Sequence, residues 1–122
     1  MEPTDYGNIH NRYITLWKAK AVNSNALLSL IVAPEAEEAV AAWLLDDETI
    51  PGFSSTPIAG HGSSESSMTL AEQVAGRRRR VMFFTHLEQS VAERVLERLR
   101  EDFPGADIHY WIAPVLVAGH LG

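Results

Sequence analysis

RRRVMFFTHLEQSVAERVLERLREDFPG, residues 78–105, decides how the chain reads. Its first part alternates with period two. Arg80, Met82, Phe84 and His86 share one side, and Arg79, Val81, Phe83 and Thr85 share the other. This predicts a strand over Arg78–His86. The period then changes. Val91, Val95, Leu99 and Phe103 recur at helical spacing with charges opposite, and Ser90 and Glu93 stand at the spacing of a capping box. Phe103-Pro104-Gly105 stops that helix.

Downstream, DIHYWIAPVLVAG (Asp107–Gly119) reads as a last strand interrupted at Pro114. Upstream, the same strand-then-helix pattern occurs once before. ALLSLIVA (Ala26–Ala33) is a short apolar run with β-branched residues, hence a strand. Pro34 stands where a helix would begin, with Glu35, Glu37 and Glu38 suited to its positive end. Ala36, Val40, Trp43, Leu44 and Asp47 trace one side of that helix, and Asp46, Asp47 and Glu48 read as its solvated end. GFSSTPIAGHG (Gly52–Gly62) reads as a strand that Pro57 assigns to a sheet edge or a bulge. A Ser-rich connection follows, in which Thr69, Glu72 and Gly76 suggest one small helical piece.

The order is strand–helix–strand, long loop, strand–helix–strand. It predicts an α+β, ferredoxin-like βαββαβ domain over residues 25–122. Four antiparallel strands carry two helices on one face, with the long loop between strands two and three. Residues 1–24 lack a clear period and read as a flexible or loosely docked arm. Strands one, three and four are apolar on both faces. Leu27, Ile31, Val81, Phe83, Tyr110 and Ile112 cannot all share a face with Leu28, Leu30, Met82, Phe84 and Trp111. Two helices cover only one face, so a further copy of the chain is expected on the other.

Composition bounds the function. The chain has 122 residues, 46% hydrophobic and 21% charged, which suits one folded domain rather than a disordered chain. It has no cysteine, which excludes disulfides, a cysteine nucleophile and thiolate metal sites. A formal charge of −6 opposes general nucleic-acid binding. No apolar run approaches the roughly 18–20 residues of a spanning helix, and the first residues lack the basic start and apolar core of a signal peptide. Cytoplasmic residence without membrane insertion is the expectation.

GHGS (Gly60–Ser63), LAEQVAGRRRRV (Leu70–Val81), FPG (Phe103–Gly105) and HYWIAPV (His109–Val115) carry a resemblance to the PII-like superfamily of ferredoxin-like trimers. That group includes PII nitrogen regulators and CutA proteins. The similarity is nearest to an uncharacterised PII-like family encoded beside heavy-metal efflux pumps of the resistance–nodulation–division type. The resemblance implies a trimeric regulatory protein that takes a small ligand in a cleft between subunits. It implies signalling through the loop, with an efflux pump as the partner. CutA-like metal binding is the alternative.

Candidate residues follow from side-chain chemistry and this resemblance. Arg77, Arg78, Arg79 and Arg80 lie at the loop-to-strand junction, where PII regulators place basic groups on nucleotide phosphates. The arginine fork suits phosphate, so an adenine nucleotide or another anion is implied. Pairing with acids of a neighbouring subunit, or solvation, is the plainer alternative. Gly60 and Gly62 flank His61 and permit close approach of a ligand to the backbone. The C-terminal APVLVAGHLG has no Arg or Lys, so the basic groups that PII regulators place after the last strand have no counterpart. His61, His86 and His109 are candidate copper or zinc ligands, though none stands at the i, i+3 or i, i+4 spacing of a local metal motif. Ser63, Ser64, Glu65, Ser66, Ser67, Met68 and Glu72 would form a partner-contacting loop. No activated nucleophile or acid–base pair is evident, so catalysis is not expected.

Overall fold

The computed structural model describes residues 25–61 and 78–122. In chain order these form β1 (Asn25–Val32), a 3-10 turn (Pro34–Ala36), α1 (Glu37–Asp46), β2 (Ser54–Gly60), β3 (Arg78–Glu88), α2 (Gln89–Asp102) and β4 (His109–Pro114). The sheet order is β2-β3-β1-β4, and every neighbouring pair is antiparallel. This is the ferredoxin-like α+β arrangement expected from the order of periods. The N-terminal arm 1–24 and the small helical piece at Thr69–Gly76 lie outside the described residues.

Period-two alternation places the core. Ala26, Leu28, Leu30 and Val32 of β1 and Val81, Phe83, Thr85 and Leu87 of β3 are buried on one face. Val40 and Leu44 of α1 and Ala92, Val95 and Leu99 of α2 close over them. Each large apolar side chain so buried contributes roughly 1.5–3 kcal/mol. Thr85 is the polar member of this face, and its hydroxyl donates to the Gly52 carbonyl at 2.5 Å. β2 lies at the sheet's outer edge, where Pro57 pairs in register with Val81 without a bulge.

Three local expectations are corrected. Ser90 and Glu93 do not form a capping box. Glu88, in extended conformation, precedes a helix that already includes Ser90, and Gln89 Nε2 donates to Glu93 at 3.2 Å instead. The last strand ends at Pro114, not Gly119; Pro114 still pairs with Ala26 and the Val115 amide donates to the Asn25 carbonyl at 3.0 Å, after which residues 115–122 form no strand. The end of α1 is only partly solvated. Asp46 and Glu48 are exposed, but Asp47 is buried.

Asp47 joins the two helices. Its Oδ1 accepts from the Thr49 amide at 2.9 Å and the Thr49 hydroxyl at 2.6 Å, and its Oδ2 accepts from Arg98 Nη2. Burial pushes this carboxyl's pKa up, but the Thr49 hydrogen bonds and the Arg98 guanidinium outweigh it, so the group titrates below its ordinary value. The same Arg98 lies 5.9 Å from the Trp43 ring centroid, and Trp43 Nε1 donates to Asp102 at 2.7 Å. Trp43 also meets Phe103 edge-on at 6.0 Å. After α2 the chain reverses at Gly105, whose φ of +75° is the one left-handed conformation among the described residues.

Candidate functional site

The candidate site lies on the sheet face opposite α1 and α2. By alternation it presents Leu27, Ser29 and Ile31 of β1, Arg78, Arg80, Met82, Phe84 and His86 of β3, Thr56 and Ile58 of β2, and His109 and Trp111 of β4. Ser29 lies in register between Phe84 and Trp111 and is only 1% exposed. Leu27, Ile31, Met82 and Phe84 are half-buried, and Trp111 remains 40% exposed. An apolar centre of this kind on a sheet face is unusual for a surface left to water.

At one end of this face the apolar centre gives way to charge. A cleft of about 320 Å³ is lined by Ile31, Ile58, Gly60, His61, Arg78, Arg80, Asp107 and His109. Register explains the grouping. Gly60 pairs with Arg78 and Ile58 with Arg80, while Ile31 pairs with both Met82 and His109. Continuing both registers by two residues puts Arg80 and Asp107 on either side of Ala33, where β1 ends. Two strand spacings, about 10 Å, then separate their backbones, and a long arginine side chain spans most of that. Arg80 Nη2 donates to Asp107 Oδ2 at 3.2 Å, and Arg78 Nη2 stands 3.6 Å from the same oxygen.

The electrostatics are one-sided. Two guanidinium groups face one carboxylate, and Asp107 is the only acidic residue lining the cleft among the described residues. The arginine side chains are 17% and 10% exposed, whereas that of Asp107 is 81% exposed. The cations are therefore partly withdrawn from water, and the acid is not. Each guanidinium has five donors, and each meets Asp107 through one nitrogen and one oxygen. Such an arrangement suits a further anion, with Ile31 and Ile58 supplying apolar contact beside it. No chemistry of bond-making is implied.

The expected site residues separate into three groups. Gly60, His61, Arg78, Arg80 and His109 do meet in the cleft. Arg79 points to the opposite side of β3 by alternation and is exposed. His86 is paired with Leu27, four residues along β1 from the Ile31–His109 pair, or about 13 Å. The three candidate metal histidines thus do not converge within one chain, and no cluster of three His, Cys, Asp or Glu able to hold a metal occurs among the described residues. Gly62, Ser63, Ser64, Glu65, Ser66, Ser67, Met68, Glu72 and Arg77 lie outside the described residues. Sequence reasoning missed Asp107, Ile31 and Ile58. The signal for Asp107 was available only through register, since it lies 27 residues from Arg80 in the chain.

Relatives give the frame. The family described as "Protein of unknown function (DUF3240)" matches residues 22–122. The fold resembles that of a DUF3240 family protein from Shewanella baltica OS155, at 22% identity and a TM-score of 0.58, covering 81% of this chain and 98% of that one. It also resembles a protein assigned to PII-like signaling from Thermus thermophilus, at 22% identity and a TM-score of 0.54, covering 75% of this chain and 85% of that one. A third is CPII, a nitrogen regulatory PII-like protein from Thiomonas intermedia K12 bound to ADP, AMP and bicarbonate. It shares 17% identity at a TM-score of 0.57, covering 80% of this chain and 96% of that one. No curated protein matches the sequence.

Proposed function

The chain belongs to the DUF3240 family, and from that premise we propose that it is a PII-like regulatory protein that binds a small anion in the cleft at Gly60–His61 and Arg78–Arg80. The observation that carries this reading is the convergence of Arg78 and Arg80 on a cleft with a single acid among the described residues. Fold likeness to a PII-like protein holding ADP, AMP and bicarbonate supports the choice of ligand class. Adenine nucleotides and bicarbonate share what the cleft offers to bind: oxygens bearing negative charge at guanidinium spacing.

The assembly in this proposal is a homotrimer whose subunits cover one another's apolar sheet face. The cleft then lies at a subunit boundary. Its two edges, Gly60–His61 and Arg78, are also the two ends of the 62–77 segment. Ligand binding there changes how residues 63–76 meet a partner. The resemblance to the family encoded beside heavy-metal efflux pumps makes such a pump the proposed partner. The copper- or zinc-binding alternative draws no support from the described residues.

Calorimetric titration with ADP, AMP and bicarbonate, each alone, tests the site. Binding of at least one is expected, with loss in the Arg78→Ala, Arg80→Ala double variant. Binding of none, or binding that survives both substitutions, overturns the proposal. Deletion of residues 63–75 should leave that binding in place and abolish partner capture. Partner capture that survives deletion overturns the loop's role.

A further inference from the structure

We propose that Asp107 is a resident competitor for the anion cleft, a carboxylate that occupies the arginine pair until a ligand displaces it. The inference rests on the cleft being an anion site and adds how its affinity is set.

The geometry gives Asp107 this character in three ways. First, it engages both arginines through the one oxygen Oδ2, at 3.2 Å and 3.6 Å. An incoming oxyanion seeks the same donors, so the two compete directly. Second, exposure is unequal. The carboxylate is largely in water, and the guanidinium groups are largely covered. Releasing an exposed carboxylate to solvent costs little, because exposed ion pairs are weak. Leaving the covered arginines without an anion costs more. Exchange of one anion for another is therefore the low-cost path. Third, Asp107 stands at the centre of a three-residue turn closed by the Ile108 amide donating to the Ala106 carbonyl at 3.0 Å. Gly105, at φ +75°, sets the chain direction just before it. The acid can leave the arginines by side-chain rotation, without disturbing β4, which starts at His109.

A tethered competitor fixes the concentration at which the site responds. Removing its charge lowers that concentration by the same factor for any ligand that presents the same anionic group. A residue that merely shapes the cleft has no such signature, because its loss weakens binding and does so unequally.

The test uses the full chain, with inorganic phosphate and AMP as separate probes in calorimetric titrations. Asp107→Asn retains the side chain's shape and removes its charge. About fivefold tighter binding of both probes is expected, the equivalent of one exposed ion pair. Arg80→Ala, alone and combined with Asp107→Asn, should remove binding. Tighter binding by Asp107→Asn where the wild type binds too weakly to measure also supports the proposal. Wild-type and Asp107→Asn proteins of equal affinity, both dependent on Arg80, overturn the competitor role and leave the anion site standing. Weaker binding by Asp107→Asn overturns it too and makes Asp107 a positioning residue. Binding of neither probe by either protein overturns this inference, and the anion site itself is then decided by the ADP and bicarbonate titrations.

Discussion

Replacing Asp47 with alanine removes the group that ties the end of α1 to α2. Three hydrogen bonds disappear, from the Thr49 amide, the Thr49 hydroxyl and Arg98. Hydrogen bonds to a charged group are worth about 1.5–3 kcal/mol each. The full sum is not expected, because Thr49 is exposed and the Arg98 side chain is 46% exposed, so both rehydrate. About 2 kcal/mol is the net loss, which lowers Tm by about 8–10 °C in a domain of this size. The pH dependence carries the sign. The folded carboxyl titrates below its ordinary value of 3.8, so its stabilisation is complete above that value and disappears as pH falls through the folded pKa. Thermal unfolding followed by circular dichroism, from pH 7 down to pH 3, should show a gap between wild type and variant that closes only in acid. A gap under about 2 °C at pH 7, or one that widens as pH falls, refutes the reasoning.

Phe84→Glu places a charge on the helix-free face and should convert an oligomer into monomers in sedimentation equilibrium. A wild-type protein that is already monomeric at micromolar concentration contradicts the proposed assembly. Phe83→Ala empties a 1%-exposed position in the core and should cost about 3–5 kcal/mol, measured by urea unfolding. Gly105→Ala should cost about 1–2 kcal/mol. No atom lies within 4 Å of the added Cβ, so this cost is conformational, and Gly105→Asn should recover part of it.

The elements were legible because their cause is local. Alternation in RRRVMFFTH separates the buried Val81, Phe83 and Thr85 from the half-buried Arg80, Met82 and Phe84 without any knowledge of neighbours. Pro57 likewise limited β2 to an edge or a bulge from its own covalent structure, and the structure has the edge. Features that depend on a distant partner were not legible. Asp47 read as one of three solvated acids because its cation, Arg98, is 51 residues away. Ser90 read as a cap from spacing alone, whereas the extended backbone of Glu88 starts the helix two residues earlier. The proposed anion cleft was half legible. The arginines and Gly60–His61 lie at the two ends of one segment and could be associated from sequence. Asp107 enters from beyond α2, and only the register of the finished sheet brings it to them.

Pro57 has a consequence for how the molecule meets its own kind. A β-sheet is a template, since its last strand offers unpaired donors and acceptors to any extended chain that arrives. Here the β2 border is broken in the middle, with Ser54–Thr56 on one side of the proline and Ile58–Gly60 on the other. The β4 border closes at Pro114. Among the described residues both margins are short, the first interrupted by Pro57 and the second six residues long. Growth by adding strand to strand, the route to fibres, is thereby discouraged at both margins. In the proposed assembly the contact is made face to face instead, and such a contact closes on itself into a complex of fixed size.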